Sequence, residues 1–175
     1  MNRTRRGVLF GLVGAAALAA GVAIQYGRTR PAVPRDAAAV LLAATFEDLG
    51  GGRRAVGDWR GKVLVVNFWA TWCAPCREEI PEFVRLQEQF RDRGVQFVGI
   101  AVDQRDAVER FAREFGINYP VLVGSLDAIE VSKAAGNRVG ALPFTAILGR
   151  DGQLAKVHLG KLDAETLTPV LSQLV

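Results

Sequence analysis

The sequence has few residues that bind metals: two cysteines and one histidine among 175 residues. A structural zinc site takes about four nitrogen or sulfur ligands, so this count argues against one. No C-x-x-C-H motif occurs, which excludes covalent haem attachment. The glycine run Gly50–Gly52 lacks the Lys-Ser/Thr pair of a phosphate loop and is interpreted as a turn. We therefore predict neither a metal nor a separate cofactor.

Most of the chain carries no net positive charge, although the formal net charge of the whole is +4. Residues 1–36 carry six arginines and one aspartate, a net charge of +5. The other 139 residues carry 16 basic and 17 acidic side chains, a net charge of −1. The basic balance thus belongs to the N-terminal segment, and no nucleic-acid surface is indicated.

The N-terminal segment has the pattern of an export element. Three arginines within residues 1–6 precede 21 uncharged residues, 7–27. A helix of that length spans about 30 Å, the thickness of the hydrocarbon core of a bilayer. Residues 1–27 are predicted to be a retained anchor with a cytoplasmic N-terminus. A cleaved signal stays open as the alternative, because Ala17-Leu18-Ala19 resembles a signal-peptidase site.

The domain boundaries follow from this segment. Residues 28–42 contain two prolines among Arg, Ala and Asp and are predicted to be a linker. Residues 43–175 are predicted to form one folded domain, since half of the chain is hydrophobic and can supply a core.

Both cysteines lie in one motif, Trp72-Cys73-Ala74-Pro75-Cys76. The apolar run Val63–Phe68 before it is rich in β-branched residues and predicts a strand buried on both faces. The apolar residues after it fit one face of a helix that is interrupted at Pro81. A C-x-x-C between a strand and a helix is typical of a thiol redox site. A purely structural disulfide is disfavoured, because so short a loop removes little chain entropy.

The remaining pattern alternates strands and helices. A helix is predicted by the 0, +3, +4, +7 spacing from Val108 to Phe115, and another from Asp127, in a capping box, to about Ala135. Asp151-Gly152 predicts a hairpin turn. This order predicts an α/β fold with a central mixed sheet flanked by helices. The predicted strands are 46–59 (a hairpin), 95–102, 119–123, 144–148 and 153–159, and a closing helix contains Leu167, Val170, Leu171 and Leu174.

The segment from Asn67 to Cys76 is similar to the thioredoxin superfamily, and more narrowly to the membrane-anchored TlpA/ResA-type thiol–disulfide oxidoreductases. The W-C-x-P-C core, Pro81 and the segment Leu142-Pro143-Phe144-Thr145 carry the resemblance, which covers residues 43–175. It implies a thioredoxin-like fold with an N-terminal β-hairpin. It also implies a central αβ insertion, which would be residues 105–123.

The two cysteines receive different roles. Cys73, as the exposed member at the helix N-terminus, is expected to be the nucleophile, because unpaired N–H groups and the helix dipole stabilise a thiolate. Cys76, one turn later, is expected to resolve the mixed disulfide. Ala74-Pro75 adds no cation near the thiolate, which favours a reductase over an oxidant.

Further site residues follow from the helix and from the resemblance. Asn67 stands where cytosolic thioredoxin has an acid, and Glu79, on the same helix face as Cys76, is the candidate replacement as proton acceptor. Pro143 resembles the cis-proline of the superfamily, which implies that Leu142 pairs with an extended substrate. Trp72 and Pro75 complete the expected substrate-binding surface. His158 is interpreted as exposed and unrelated to the site.

The leading hypothesis is an exported enzyme that reduces protein disulfides. The resemblance implies a domain on the periplasmic side of a bacterial inner membrane, or a protein secreted to the periplasm after signal cleavage. It implies a DsbD- or CcdA-type membrane thiol shuttle as electron donor, and disulfide-containing exported proteins, among them apocytochrome c, as clients. The alternative is a copper metallochaperone on the same fold, although those proteins use C-x-x-x-C and a downstream histidine.

Overall fold

The structure is a computed structural model that describes residues 36–175. The predicted anchor or signal, 1–27, and most of the predicted linker lie outside the described residues. Within 36–175, none of the helices is both long enough and apolar enough to cross a membrane.

Five α-helices and seven strands are the main elements of the described part of the chain. In chain order they are α1 Ala37–Ala43, β1 Thr45–Asp48, β2 Arg53–Ala55, β3 Val63–Trp69, α2 Ala74–Phe90, β4 Val95–Val102, α3 Arg105–Glu114, β5 Val121–Gly124, α4 Leu126–Ala134, β6 Phe144–Leu148, β7 Leu154–Leu159 and α5 Ala164–Leu174.

The strands form one mixed sheet in the order β2-β1-β5-β4-β3-β6-β7. Strands β3, β4 and β5 are parallel, whereas β1, β2, β6 and β7 pair antiparallel with their neighbours. The predicted mixed sheet, the N-terminal hairpin and the helix–strand unit at 105–123 are therefore confirmed. The central position of β3 explains its unbroken apolar run, because every residue of this strand is buried.

Side chains alternate across β3 and so divide the core into two layers. On one side Val63 and Val65 pack with α2 and α5, and Trp69 packs with both α2 and α3. On the other side Leu64, Val66 and Phe68 pack with α1 and α4. Each fully buried side chain of this size contributes about 1.5–3 kcal/mol relative to exposure. The end of β3 is thereby held rigidly where the cysteine motif begins.

The predicted linker ends too late in the sequence. Residues 37–43 form helix α1, and Leu41 and Leu42 are buried in the core layer behind the sheet. A helix of seven residues is too short to show a periodic apolar face in the sequence. The boundary at residue 43 is therefore wrong, and the folded domain includes α1.

Local details differ from the predictions in three places. Helix α2 runs through Pro81 without interruption. Helix α4 begins after Ser125, and Asp127 accepts hydrogen bonds from the N–H and hydroxyl of Ser125 rather than capping the helix itself. The second half of the 46–59 hairpin is shorter than predicted, because Val56–Trp59 is a 3₁₀ helix.

Candidate active site

The two cysteines form a disulfide at the N-terminal end of α2. The S–S distance is 2.05 Å and the two Cα atoms are 5.3 Å apart. Cys73 is the N-cap residue, and its carbonyl accepts the first helical hydrogen bond, 3.1 Å from the N–H of Arg77. Pro75 lies in the first turn, where its missing N–H costs no helical hydrogen bond. The predicted position of Cys73 at a helix N-terminus is confirmed.

The exposure of the pair differs from the expectation. Cys73 is only 6% exposed and Cys76 is 0% exposed, so Cys73 is the more accessible sulfur but is not an exposed residue. The reason is packing, since both cysteines belong to a cluster with Trp69, Ile80 and other apolar residues. Trp72, by contrast, is 69% exposed. The exposed Trp72 therefore directly precedes a cysteine that is almost covered.

Glu79 lies on α2 three residues after Cys76, and no part of it is exposed. Its Oε1 accepts a hydrogen bond from Nδ2 of Asn67 at 2.8 Å. Its Oε2 accepts a hydrogen bond from the backbone N–H of Leu162 at 2.9 Å. A carboxyl group that is removed from water and has only two donors is poised between its two protonation states.

The buried environment raises the pKa of Glu79 to about 7. Loss of hydration is the dominant cause, and it is partly offset by the hydrogen bonds from Leu162 and Asn67 and by the charge of Lys161. A carboxyl with such a pKa can release and accept a proton near neutral pH, which suits a general acid–base. The spacing of three residues from Cys76 predicted Glu79 as a site residue. Its partners Leu162 and Lys161 are 83 and 82 residues away in sequence, so no local pattern indicates them.

The loop before Cys73 is held by two further residues that the sequence did not reveal. Asp103, just after β4, accepts hydrogen bonds from the backbone N–H of Thr71, at 3.1 Å, and from its hydroxyl. Arg77 on α2 donates to the carbonyl of Thr71 at 3.3 Å. The Arg77 guanidinium lies 5.1 Å from the ring centre of Phe111 on α3 and 5.1 Å from that of Phe115, the residue just after α3. The loop is therefore fixed from the β4 side and from the α2 side.

The segment before β6 approaches the cysteines from the opposite direction. The Leu142–Pro143 peptide bond is cis, as the resemblance implied. Leu142 packs against the cluster that contains both cysteines. The carbonyl of Pro143 accepts a hydrogen bond from the N–H of Gly160 at 2.8 Å. The structure thus brings Leu142, Cys73 and Cys76 together, as predicted.

His158 is half-buried rather than exposed, and its Nε2 lies 3.0 Å from the carbonyl oxygen of Lys161. This contact closes the turn that leads from β7 to α5. Among residues 36–175, no three His, Cys, Asp or Glu side chains are grouped so that they could hold a metal ion.

A cysteine pair at this corner of a thioredoxin-like sheet defines the class of a thiol–disulfide oxidoreductase. The sequence profile of the Redoxin family matches residues 37–174. The chain belongs to that family.

Named relatives agree with this class. The chain is 33% identical over 123 residues to the thiol-disulfide oxidoreductase ResA of Geobacillus thermodenitrificans, covering 70% of this chain and 68% of that protein. It is 34% identical over 122 residues to ResA of Bacillus subtilis, covering 67% of this chain and 64% of that protein. A thioredoxin-family thiol:disulfide interchange protein from Chlorobium tepidum superposes with a TM-score of 0.68 at 28% identity, covering 75% of this chain and 92% of that one.

Proposed function

We propose that this enzyme works in the reducing direction, with Cys73 as nucleophile, Cys76 as resolving thiol and Glu79 as proton acceptor. The observation that carries the proposal is the placement of the Cys73–Cys76 disulfide at the start of α2 with the buried Glu79 carboxyl one turn further on.

The first step is attack by the Cys73 thiolate on a client disulfide. A bond forms between Cys73 and one client sulfur, the client S–S bond breaks, and the second client sulfur leaves as a thiolate that takes a proton. The helix N-terminus behind Cys73 favours its anionic form. Its accessibility relative to Cys76 makes it the sulfur that the client reaches.

The second step releases the client. Cys76 gives its proton to the Glu79 carboxylate and attacks the Cys73 sulfur, so the Cys73–Cys76 disulfide forms and the remaining client sulfur leaves reduced. Two electrons have passed from the enzyme dithiol to the client disulfide. Ala74-Pro75 places no cationic side chain between the cysteines, which supports a reductase because extra thiolate stabilisation would make a stronger oxidant.

The N-terminal sequence supports a setting outside the cytoplasm for this reaction. An apolar segment at 7–27 supports export, either as a single-pass anchor in a bacterial inner membrane or as a cleaved signal that frees the domain into the periplasm. An oxidising compartment requires a reductant for each cycle. A DsbD- or CcdA-type membrane thiol shuttle is the proposed donor, and exported proteins with disulfides, including apocytochrome c, are the proposed clients.

Trp72, Pro75, Leu142 and Pro143 form the proposed client surface. The exposed indole of Trp72 and the packing of Leu142 beside the cysteines support this choice. An extended client segment would pair with the backbone of Leu142 and present its disulfide to Cys73.

A trapping experiment tests the proposal. In the Cys76→Ser variant the mixed disulfide cannot be resolved, so clients are expected to remain covalently attached to Cys73 in the host. Wild-type protein is expected to reduce insulin disulfides, and Cys73→Ser to be inactive. If the Cys76→Ser variant traps nothing and the wild type reduces no disulfide, the proposal is falsified. Stoichiometric copper binding without disulfide reduction would favour the metallochaperone alternative.

A further inference from the structure

The side chain of Asn67 makes all of its hydrogen bonds through one end. Its Nδ2 donates to Glu79 Oε1 at 2.8 Å and to Thr145 Oγ1 at 3.1 Å. Its Oδ1 is buried and has no partner. A buried acceptor without a partner costs about 1–3 kcal/mol, so its presence needs a reason.

The present arrangement suits the ionised form of Glu79 best. Both carboxylate oxygens face donors, Nδ2 of Asn67 and the N–H of Leu162. When the carboxyl takes a proton, one oxygen becomes a donor itself. The N–H of Leu162 belongs to the backbone and cannot change its role, so Oε2 stays the better acceptor and the proton is favoured on Oε1. There it would point at the N–H of Asn67, donor against donor.

A half-turn of the Asn67 amide removes this conflict. The turn exchanges Oδ1 and Nδ2, so Oδ1 then accepts the hydrogen bond from protonated Glu79. Thr145 adapts as well, because a hydroxyl that accepts in one state can donate in the other. The turn breaks no hydrogen bond of Oδ1, since that atom has no partner, and it moves the NH₂ group into the same buried position.

We propose that Asn67 is a two-position amide that turns with the protonation state of Glu79, donating to the carboxylate and accepting from the acid. Asn67 is then a positioning residue for the proton transfer between Cys76 and Glu79. The amide gives the buried carboxyl a suitable partner before and after the transfer. This inference rests on the proposed role of Glu79.

The groups around Glu79 do not replace this function. Lys161 is exposed, and its Nζ lies 2.7 Å from Oε2 of Glu78. The hydroxyl of Tyr119 is buried and has no hydrogen-bond partner. The groups coupled to Glu79 by charge are Lys161 after β7 and Tyr119 before β5, and Glu78, Glu82 and Asp163 lie around Lys161. Cys76 precedes Glu79 by three residues on α2. Of the two groups that donate to the Glu79 carboxylate, only the Asn67 amide can turn so that it presents an acceptor instead.

The orientation can be measured directly in the full-length protein by NMR. Well above the Glu79 midpoint, a scalar coupling across the hydrogen bond is expected between ¹⁵Nδ2 of Asn67 and ¹³Cδ of Glu79. Well below it, this coupling should disappear. Persistence of the coupling at low pH would overturn the proposal.

Glu79→Gln provides a permanent mimic of the neutral acid. Its carbonyl can still accept from Leu162, so its NH₂ group faces Asn67 and requires the turned amide. A coupling from ¹⁵Nε2 of the introduced glutamine to ¹³Cγ of Asn67 is expected at every pH. A coupling in the reverse direction, from ¹⁵Nδ2 of Asn67 to ¹³Cδ of the introduced glutamine, would refute the turn of the amide. Glu78→Gln is the matched control and should leave the wild-type pattern unchanged.

Kinetics separates this inference from the proposed function. Asn67→Leu removes the donor to the carboxylate, so the midpoint of Glu79 should rise by at least about one unit, with a rate loss approaching tenfold below that midpoint. An unchanged midpoint in Asn67→Leu would contradict the inference while insulin reduction by the wild type still stands. Loss of all wild-type reduction would instead contradict the proposed function.

Discussion

Thr71 donates two hydrogen bonds to a single carboxylate oxygen of Asp103, one from its backbone N–H at 3.1 Å and one from its hydroxyl. The other oxygen of Asp103 accepts from the N–H of Gln104 at 2.7 Å. Asp103 thus joins the end of β4 to the residue two positions before Cys73. The exposed Trp72 lies between Thr71 and Cys73 in the chain. The orientation of its side chain therefore depends on the contact between Thr71 and Asp103.

Asp103→Ala is expected to weaken client binding. The variant removes charge-assisted hydrogen bonds of about 1.5–3 kcal/mol each, so the loop that carries Trp72 becomes mobile. KM for a protein disulfide should rise more than kcat falls, and Asp103→Asn should restore part of the loss. Asp106→Ala is the control, since that exposed carboxylate is close in sequence and lies outside the loop contact. Equal kinetics for Asp103→Ala and Asp106→Ala would contradict the expectation.

Glu79→Gln is expected to slow disulfide reduction near neutral pH. In the wild type the rate should rise as Glu79 ionises through about pH 7. The glutamine variant lacks this inflection, and its rate should recover only at higher pH, where solvent can deprotonate a thiol of ordinary pKa, about 8.5. Pre-steady-state reduction of a mixed disulfide across pH measures this difference. Coincident pH–rate profiles would remove Glu79 from the mechanism.

The pH dependence of stability provides an independent test of the same carboxyl. Burial raises the pKa of Glu79 from its usual 4.5 to about 7, so the folded state binds the proton more tightly than the unfolded chain. The resulting stabilisation is present below about pH 4.5 and is lost as pH rises through about pH 7. Its size is on the order of 3 kcal/mol. Urea unfolding of the oxidised wild type and of Glu79→Gln should give free energies of unfolding whose difference changes with pH in this way. A difference that is the same at every pH would contradict the raised pKa of Glu79.

Lys161→Met is expected to move the Glu79 midpoint to higher pH. The positive charge of Lys161 lowers the pKa of Glu79, so its removal favours the protonated acid. The effect should weaken as salt is added, because the side chain is exposed. Lys156→Met on β7 is the matched control. A ¹³C titration of the Glu79 carboxyl measures the midpoint in each variant. Identical midpoints in Lys161→Met and Lys156→Met would contradict the effect assigned to Lys161.

Leu41→Ala is expected to destabilise the whole domain rather than a detached linker. Leu41 is fully buried in the core, and such substitutions cost about 2–5 kcal/mol. Val40→Ala, on the same helix but half-buried, should cost less. Chemical denaturation measures both. If Leu41→Ala unfolded at the same denaturant concentration as the wild type, α1 would not be part of the folded unit.

The sequence predicted what depends on local pattern. The apolar run of β3, the cysteine motif and the Asp151-Gly152 turn each carry their signal within a few residues, and each lies where it was predicted. Helix α1 was missed because its seven residues make one short apolar stretch beside prolines. The N-cap of α4 is Ser125 and not the predicted Asp127, because the capping-box spacing from Asp127 to Glu130 does not include Ser125.

The environment of the site could be predicted only in part. Glu79 was identified from its spacing to Cys76, but its second hydrogen-bond partner comes from Leu162, 83 residues later. Asp103 is 32 residues from Thr71 and meets it only because parallel strands bring their carboxyl ends to one edge. The burial of Cys73 likewise depends on Leu142 and other distant side chains. Such contacts are set by tertiary packing, which a local pattern does not encode.

The short connection between β7 and α5 touches both halves of the site. Gly160 donates to the carbonyl of the cis-proline, Pro143, and Leu162, two residues later, donates to Glu79. Residues 160–163 therefore join the backbone of the cis-proline loop to a hydrogen bond that lowers the pKa of the buried carboxyl. A shift of this one connection would alter both contacts together.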